Sequence, residues 1–239
     1  MTGGCQELST RVDNTFRDWT TGLDDSESTI SIFDHIRDIP YSLSVPMTDP
    51  ATAPEQILNL GKGYCAPKHY LLAEMYRRLG YEVVYATFPF LWNDPDLVYP
   101  PELRQHAAGL PVAHHLACRV RIDSRWVLVD ATWDPPLARG GFPVNMQWDG
   151  HSDTLCAVKP LQSAVQTAFW RTATSEPFRK VPEKVLLPCD GEENHADVEA
   201  RERYYHARAG KRTPDEIHRI LRFNREFDAW LETLRRPPL

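Results

Sequence analysis

Apolar residues recur at helical spacing near the start of the chain. Leu8, Val12, Phe16 and Trp19 predict a helix over about 6–20, and Gly22 stands where it would stop. Ile30, Phe33 and Ile36 repeat the pattern over 27–38, closed by Pro40. A short helix is expected over 54–60, with Pro54 in its first turn. Leu71, Leu72, Met75, Tyr76 and Leu79 then make the buried stripe of a helix from about Cys65 to Leu79, and Gly80 suits a left-handed C-terminal residue. Beyond it the period changes. Residues 81–88, YEVVYATF, are β-branched and aromatic and read as a buried strand. Two more strands are expected at about 115–122 and 125–131, joined by a turn at Asp123-Ser124.

Other stretches break both periods. Residues 89–111 hold five prolines and predict a surface loop or lid with at most a short helix. Residues 132–160 are rich in proline and glycine and should carry short mixed elements, before a helix at about 161–171. The stretch 190–212 is charged and reads as a solvated face. Thr213-Pro214-Asp215-Glu216 resembles a capping box that opens a last helix to about 235, with Ile217, Leu221, Trp230, Leu231 and Leu234 as its apolar face. The organisation expected is a main domain over 1–185 and a charged, largely helical extension over 186–239 packed on it.

Composition narrows the partners. A chain of 239 residues, 42% of them hydrophobic, suits one compact domain with an appendage. Its net charge of −6, with basic residues adjoining only in short pairs, argues against nucleic acid. No apolar run approaches the ~18 residues of a membrane span, and the first residues lack a secretory pattern. The expectation is a cytoplasmic protein. Cysteines 5, 65, 118, 156 and 189 are odd in number and widely spaced, without a CxxC pair. Neither a zinc site nor a disulfide framework is expected, and no cofactor is implied.

The chemistry centres on Cys65, His115 and Asp130. A thiol at a helix start meets partial positive charge and backbone N–H groups, which favour the thiolate; the bland alternative is a buried structural cysteine. In a hairpin turning at Asp123-Ser124, His115 stands opposite Thr132 and Asp130 opposite Ala117. The two lie a diagonal apart on one face, within reach of a hydrogen bond. The alternative is a solvated polar pair at a strand end. His114 should point to the other sheet face. His69, one helical turn beyond Cys65, reads as a packing or surface residue, and Lys68 as a solvated one. Tyr64 is a weak candidate for oxyanion binding, and Trp92 and Trp133 are weak candidates for a substrate pocket. Cys118 and Cys156 lie in apolar sequence and are expected to be inert.

The segments GYCAPKHYLLAEMYRRLGYEVV and HLACRVRIDSRWVLVDATWDP resemble the transglutaminase-like superfamily. The likeness covers roughly residues 30–135. It implies an α+β, papain-like core in which a cysteine at the N-terminus of a helix packs on an antiparallel sheet. It implies Cys65 as nucleophile, His115 as general acid and base, and Asp130 as the orienting carboxylate. One departure is Leu116-Ala117-Cys118-Arg119, where the family often has an aromatic residue and then a glutamate. The function expected is a thiol enzyme. It would form an acyl-thioester on Cys65 from a peptide, protein or small-molecule amide or activated acyl group, and pass it to water or an amine. Hydrolysis and acyl transfer in a small-molecule pathway both fit, and a catalytically inert scaffold on the same fold is the alternative of another class. The pattern does not set an oligomeric state.

Overall fold

Capping chemistry sets where the first helices begin. Thr10 accepts the Asp13 N–H while the Asp13 carboxylate accepts the Thr10 N–H, which opens α1 (Arg11–Thr20). Asp24 and Glu27 do the same for α2 (Asp25–Asp38), two residues ahead of the start expected from hydrophobic spacing. The structure is a computed structural model and describes residues 10–45, 47, 49–161 and 212–237. The helix expected beyond 161 and the charged stretch up to 211 lie outside the described residues.

After α3 (Ala53–Leu60), Gly61 takes φ +64°, a left-handed turn that glycine adopts without a Cβ clash. The chain then enters α4 (Cys65–Arg78). Strand β1 (Val83–Phe90) pairs antiparallel with β2 (Ala113–Ile122), which pairs antiparallel with β3 (Arg125–Val129). The hairpin register is the expected one: Cys118 stands opposite Val129 and Val120 opposite Val127. Asp123 and Ser124 both have positive φ, 48° and 63°, the two-residue turn whose twist matches the strands. The architecture is a mixed one, with helices laid against a small antiparallel sheet.

One core joins Phe33 and Ile36 of α2 to Leu72 and Met75 of α4 and to Val120 and Val129 of the sheet. A second core is aromatic and forms around the last helix, α6 (Pro214–Arg235), whose Thr213–Glu216 capping box is present. Phe223, Phe227 and Leu231 of α6 are fully buried among Tyr99, Trp133 and Phe142. Each such side chain contributes about 1.5–3 kcal/mol when taken out of water. Gly140, in the 3-10 turn Pro135–Gly140, lets α6 approach this closely, since a Cβ there would lie 2.6 Å from Leu234.

The proline-rich segment 89–111 holds the short helix α5 (Pro101–Ala108). It differs from an open lid: Leu97, Tyr99 and Leu103 are buried in the α6 core. The same core fixes the segment to the C-terminal helix.

Candidate active site

Cys65 is the first residue of α4, and its N-cap Tyr64 provides no side-chain cap. The approach to it is held by a bridge between two loops: the Gly63 N–H donates to the Pro40 carbonyl at 3.0 Å, and the Ser42 N–H donates to the Gly63 carbonyl at 3.1 Å. Cys65 is nearly buried and lines a cleft.

Two residues of α4 fix its first turn from below. His69 Nδ1 lies 2.8 Å from the Cys65 carbonyl, and its Nε2 accepts the Ala131 N–H at 3.2 Å. A carbonyl only accepts and an amide N–H only donates, so the proton sits on Nδ1 and the ring is neutral. Burial pulls the His69 pKa down to about 4, in agreement. Its 3.6 Å approach to Asp130 is therefore no ion pair. Lys68 is fully buried rather than solvated: Nζ donates to the carbonyls of Arg37, Ile39 and Thr132 at 3.0, 2.8 and 2.6 Å. Three acceptors match the three protons of an ammonium, while burial pulls the pKa down to about 7. Lys68 thus ties the end of α2 and the chain after β3 to the base of the cysteine helix.

His115 Nε2 and Asp130 Oδ2 are 2.7 Å apart, both side chains buried. The diagonal placement in the hairpin brings them together. Asp130 Oδ1 accepts the Thr132 N–H and O–H at 3.2 and 2.6 Å, and Oδ2 also accepts the Ala157 N–H at 2.7 Å. Burial alone would raise this carboxyl, but the His115 charge and hydrogen bond outweigh it and hold the pKa well below the usual range. For His115, burial would lower the pKa. The Asp130 charge and hydrogen bond, and a side-chain hydrogen bond with Cys65, reverse this and push it up to about 10. With Nε2 committed to Asp130, Nδ1 is the nitrogen left for the thiol.

A second cysteine comes close. Donor atoms of His115, Asp130 and Cys156 lie within 4.8 Å of one another, a cysteine–histidine–aspartate cluster that would also suit a metal ion. Both Asp130 oxygens already accept hydrogen bonds, four in all, and a metal would displace them. Burial, reinforced by Asp130, pushes the Cys156 thiol up to about 12, eased by a backbone hydrogen bond with Val158 and then by Arg119. Cys118 is fully buried, and its thiol donates to the His69 carbonyl at 3.4 Å.

The cleft over Cys65 and His115 holds about 410 Å³. Tyr41, Tyr64, Phe90, Trp92 and Trp133 line it, together with His114. Trp133 is fixed by its Nε1–H donating to the Ala157 carbonyl at 2.7 Å. The Tyr64 hydroxyl donates to the Met47 carbonyl.

No family model matches the chain, and no curated protein does. Among solved structures it is similar to a putative cysteine protease from Cytophaga hutchinsonii. Identity is 18% and the TM-score 0.37, and the match takes in 53% of this chain and 38% of that one. A likeness of that size carries no activity across.

Several parts of the site escaped the sequence reading. Thr132, two residues after Asp130, had a local signal, since a hydroxyl at that spacing often bonds a neighbouring carboxylate. Lys68, Cys156 and the Ala157 N–H had none, because their partners come from remote segments. No described helix is long and apolar enough to cross a membrane.

Proposed function

We propose that this protein is a transglutaminase-like thiol enzyme that captures an acyl group on Cys65. The observation that carries the reading is the chain of contacts Cys65–His115–Asp130, a side-chain hydrogen bond between Cys65 and His115 and the 2.7 Å pair of His115 Nε2 with Asp130. An imidazolium beside a thiol favours the thiolate, and the buried carboxylate keeps the imidazolium charged. The Cys65 thiolate attacks the acyl carbon and forms the C–S bond. The resulting oxyanion is stabilised by backbone N–H groups at the start of α4. Collapse breaks the bond to the leaving group, which takes the Nδ1 proton of His115. Neutral His115 then removes a proton from water or an amine, which attacks the thioester; the thiolate leaves and the thiolate–imidazolium pair is restored.

Cys156 is the weaker nucleophile, since its thiol is held protonated near neutral pH. An inert scaffold is disfavoured by the completeness of the Asp130 network. Transfer to an amine, as in a small-molecule acyltransferase, is favoured over hydrolysis by the apolar lining around Cys65, which resists water. The test is turnover of p-nitrophenyl acetate with and without a primary amine. Cys65→Ala and His115→Ala should each abolish release of nitrophenolate above the uncatalysed rate, and Cys156→Ala should keep it. Unchanged turnover in Cys65→Ala overturns the reading.

A further inference from the structure

The cleft itself points to what Cys65 would accept. Its described lining is apolar through Leu43, Val45, Leu110 and Val112 as well as through the aromatic rings, and it contains no aspartate or glutamate. One positive group without an ionised partner in the lining faces it, the Arg212 guanidinium, since the charge of the His115 imidazolium is balanced by the Cys65 thiolate and by Asp130. The polar side chains of Tyr41, His114 and Asn224 stand among these apolar residues, and the Tyr64 hydroxyl donates to the Met47 carbonyl. A cavity of about 410 Å³ suits one small molecule.

One wall comes from the C-terminal helix. Ile220 and Asn224 of α6 line the cleft directly. Asp228, one turn on, accepts hydrogen bonds from the Ser42 hydroxyl and the Leu43 and Ser44 N–H groups at 2.8, 2.8 and 3.0 Å. Thus α6 both lines the cleft and holds the 41–45 turn that carries Tyr41, Leu43 and Val45 into it.

We infer that Cys65 takes its acyl group from a small apolar donor, aromatic or medium-chain aliphatic, with a neutral or anionic remainder, and that α6 and Arg212 set this choice. The inference rests on the acyl-capture reading above.

The experiment measures kcat/KM for p-nitrophenyl acetate and hexanoate, for phenylacetyl esters bearing a 4-carboxylate or a 4-trimethylammonium, and for a glutamine-containing peptide with hydroxylamine as acceptor. Adducts are mapped by mass spectrometry. Burial of four extra methylenes predicts a hexanoyl preference on the order of 100-fold over acetyl. The carboxylate ester should exceed the trimethylammonium ester about tenfold, with the ratio falling in high salt and in Arg212→Gln. Ile220→Trp should cut the hexanoyl-to-acetyl ratio at least tenfold. Equal acetyl and hexanoyl constants, a preference for the cationic ester, or a peptide outrunning both small esters overturns the inference while leaving Cys65 acylation standing. Failure of every donor to acylate Cys65 overturns the underlying reading instead.

Discussion

His69 reaches the carbonyl of Cys65 from one helical turn away, Nδ1 to O at 2.8 Å, while its other nitrogen holds the Ala131 N–H beside Asp130. One neutral ring therefore sets the distance between the start of α4 and the strand end that carries Asp130. His69→Phe fills the space but leaves the Ala131 N–H buried without an acceptor. The expected loss is about 1–3 kcal/mol in chemical denaturation, with kcat falling more than KM changes. A variant with wild-type kcat would show that His69 only packs.

Arg235 and Asp134 bind the C-terminal helix to the loop after the site. The guanidinium forks onto the carboxylate, Nε to Oδ2 at 2.8 Å and Nη2 to Oδ1 at 2.9 Å, and also donates to the Tyr41 carbonyl. Breaking such a partly buried pair leaves a carboxylate without its counter-charge. Arg235→Met should lower stability by about 3 kcal/mol and raise KM, since the Tyr41 wall of the cleft loses its anchor. Arg235→Lys keeps the charge but not the fork and should recover less than half of the loss. Denaturation curves and steady-state kinetics of the two variants decide it.

The pH dependence of stability separates His115 from Lys68. His115 rises from 6.5 to about 10 on folding, so the folded state binds the extra proton. Its contribution is full below about pH 6.5 and is lost as pH rises toward 10. Lys68 runs the other way: its value falls from 10.5 to about 7, so stability rises with pH across that window. The raw curve mixes the two. The difference between wild type and His115→Gln isolates His115, and it should be largest at pH 6 and shrink steadily to pH 9. A difference independent of pH would mean that His115 is not held as an imidazolium.

Legibility followed the range of the interactions. The β2–β3 register was readable because a two-residue turn at Asp123-Ser124 fixes which residues face each other, and the His115–Asp130 bond follows from it. The start of the last helix was readable from Thr213 and Glu216, whose partners are three residues apart. Lys68 was misread because a lysine on a helix is usually solvated, and nothing local reveals that carbonyls from 37, 39 and 132 will surround it. Cys156 reaches the cluster through a chain segment that pairs by backbone with β3, the Thr154 N–H donating to the Leu128 carbonyl at 2.9 Å, and no periodicity encodes that contact. The part of α6 in the cleft wall was hidden for the same reason: its apolar face announces packing, not what it packs beside.

The central claim is that Cys65, and not the neighbouring Cys156, is the thiol that His115 and Asp130 activate. Brief exposure to p-nitrophenyl hexanoate at pH 6.5, acid quench and peptide mapping by mass spectrometry tests it directly. A single acyl adduct on the peptide carrying Cys65 is expected, absent in Cys65→Ser and in His115→Ala and retained in Cys156→Ala. An adduct on Cys156, or none on Cys65, would contradict it.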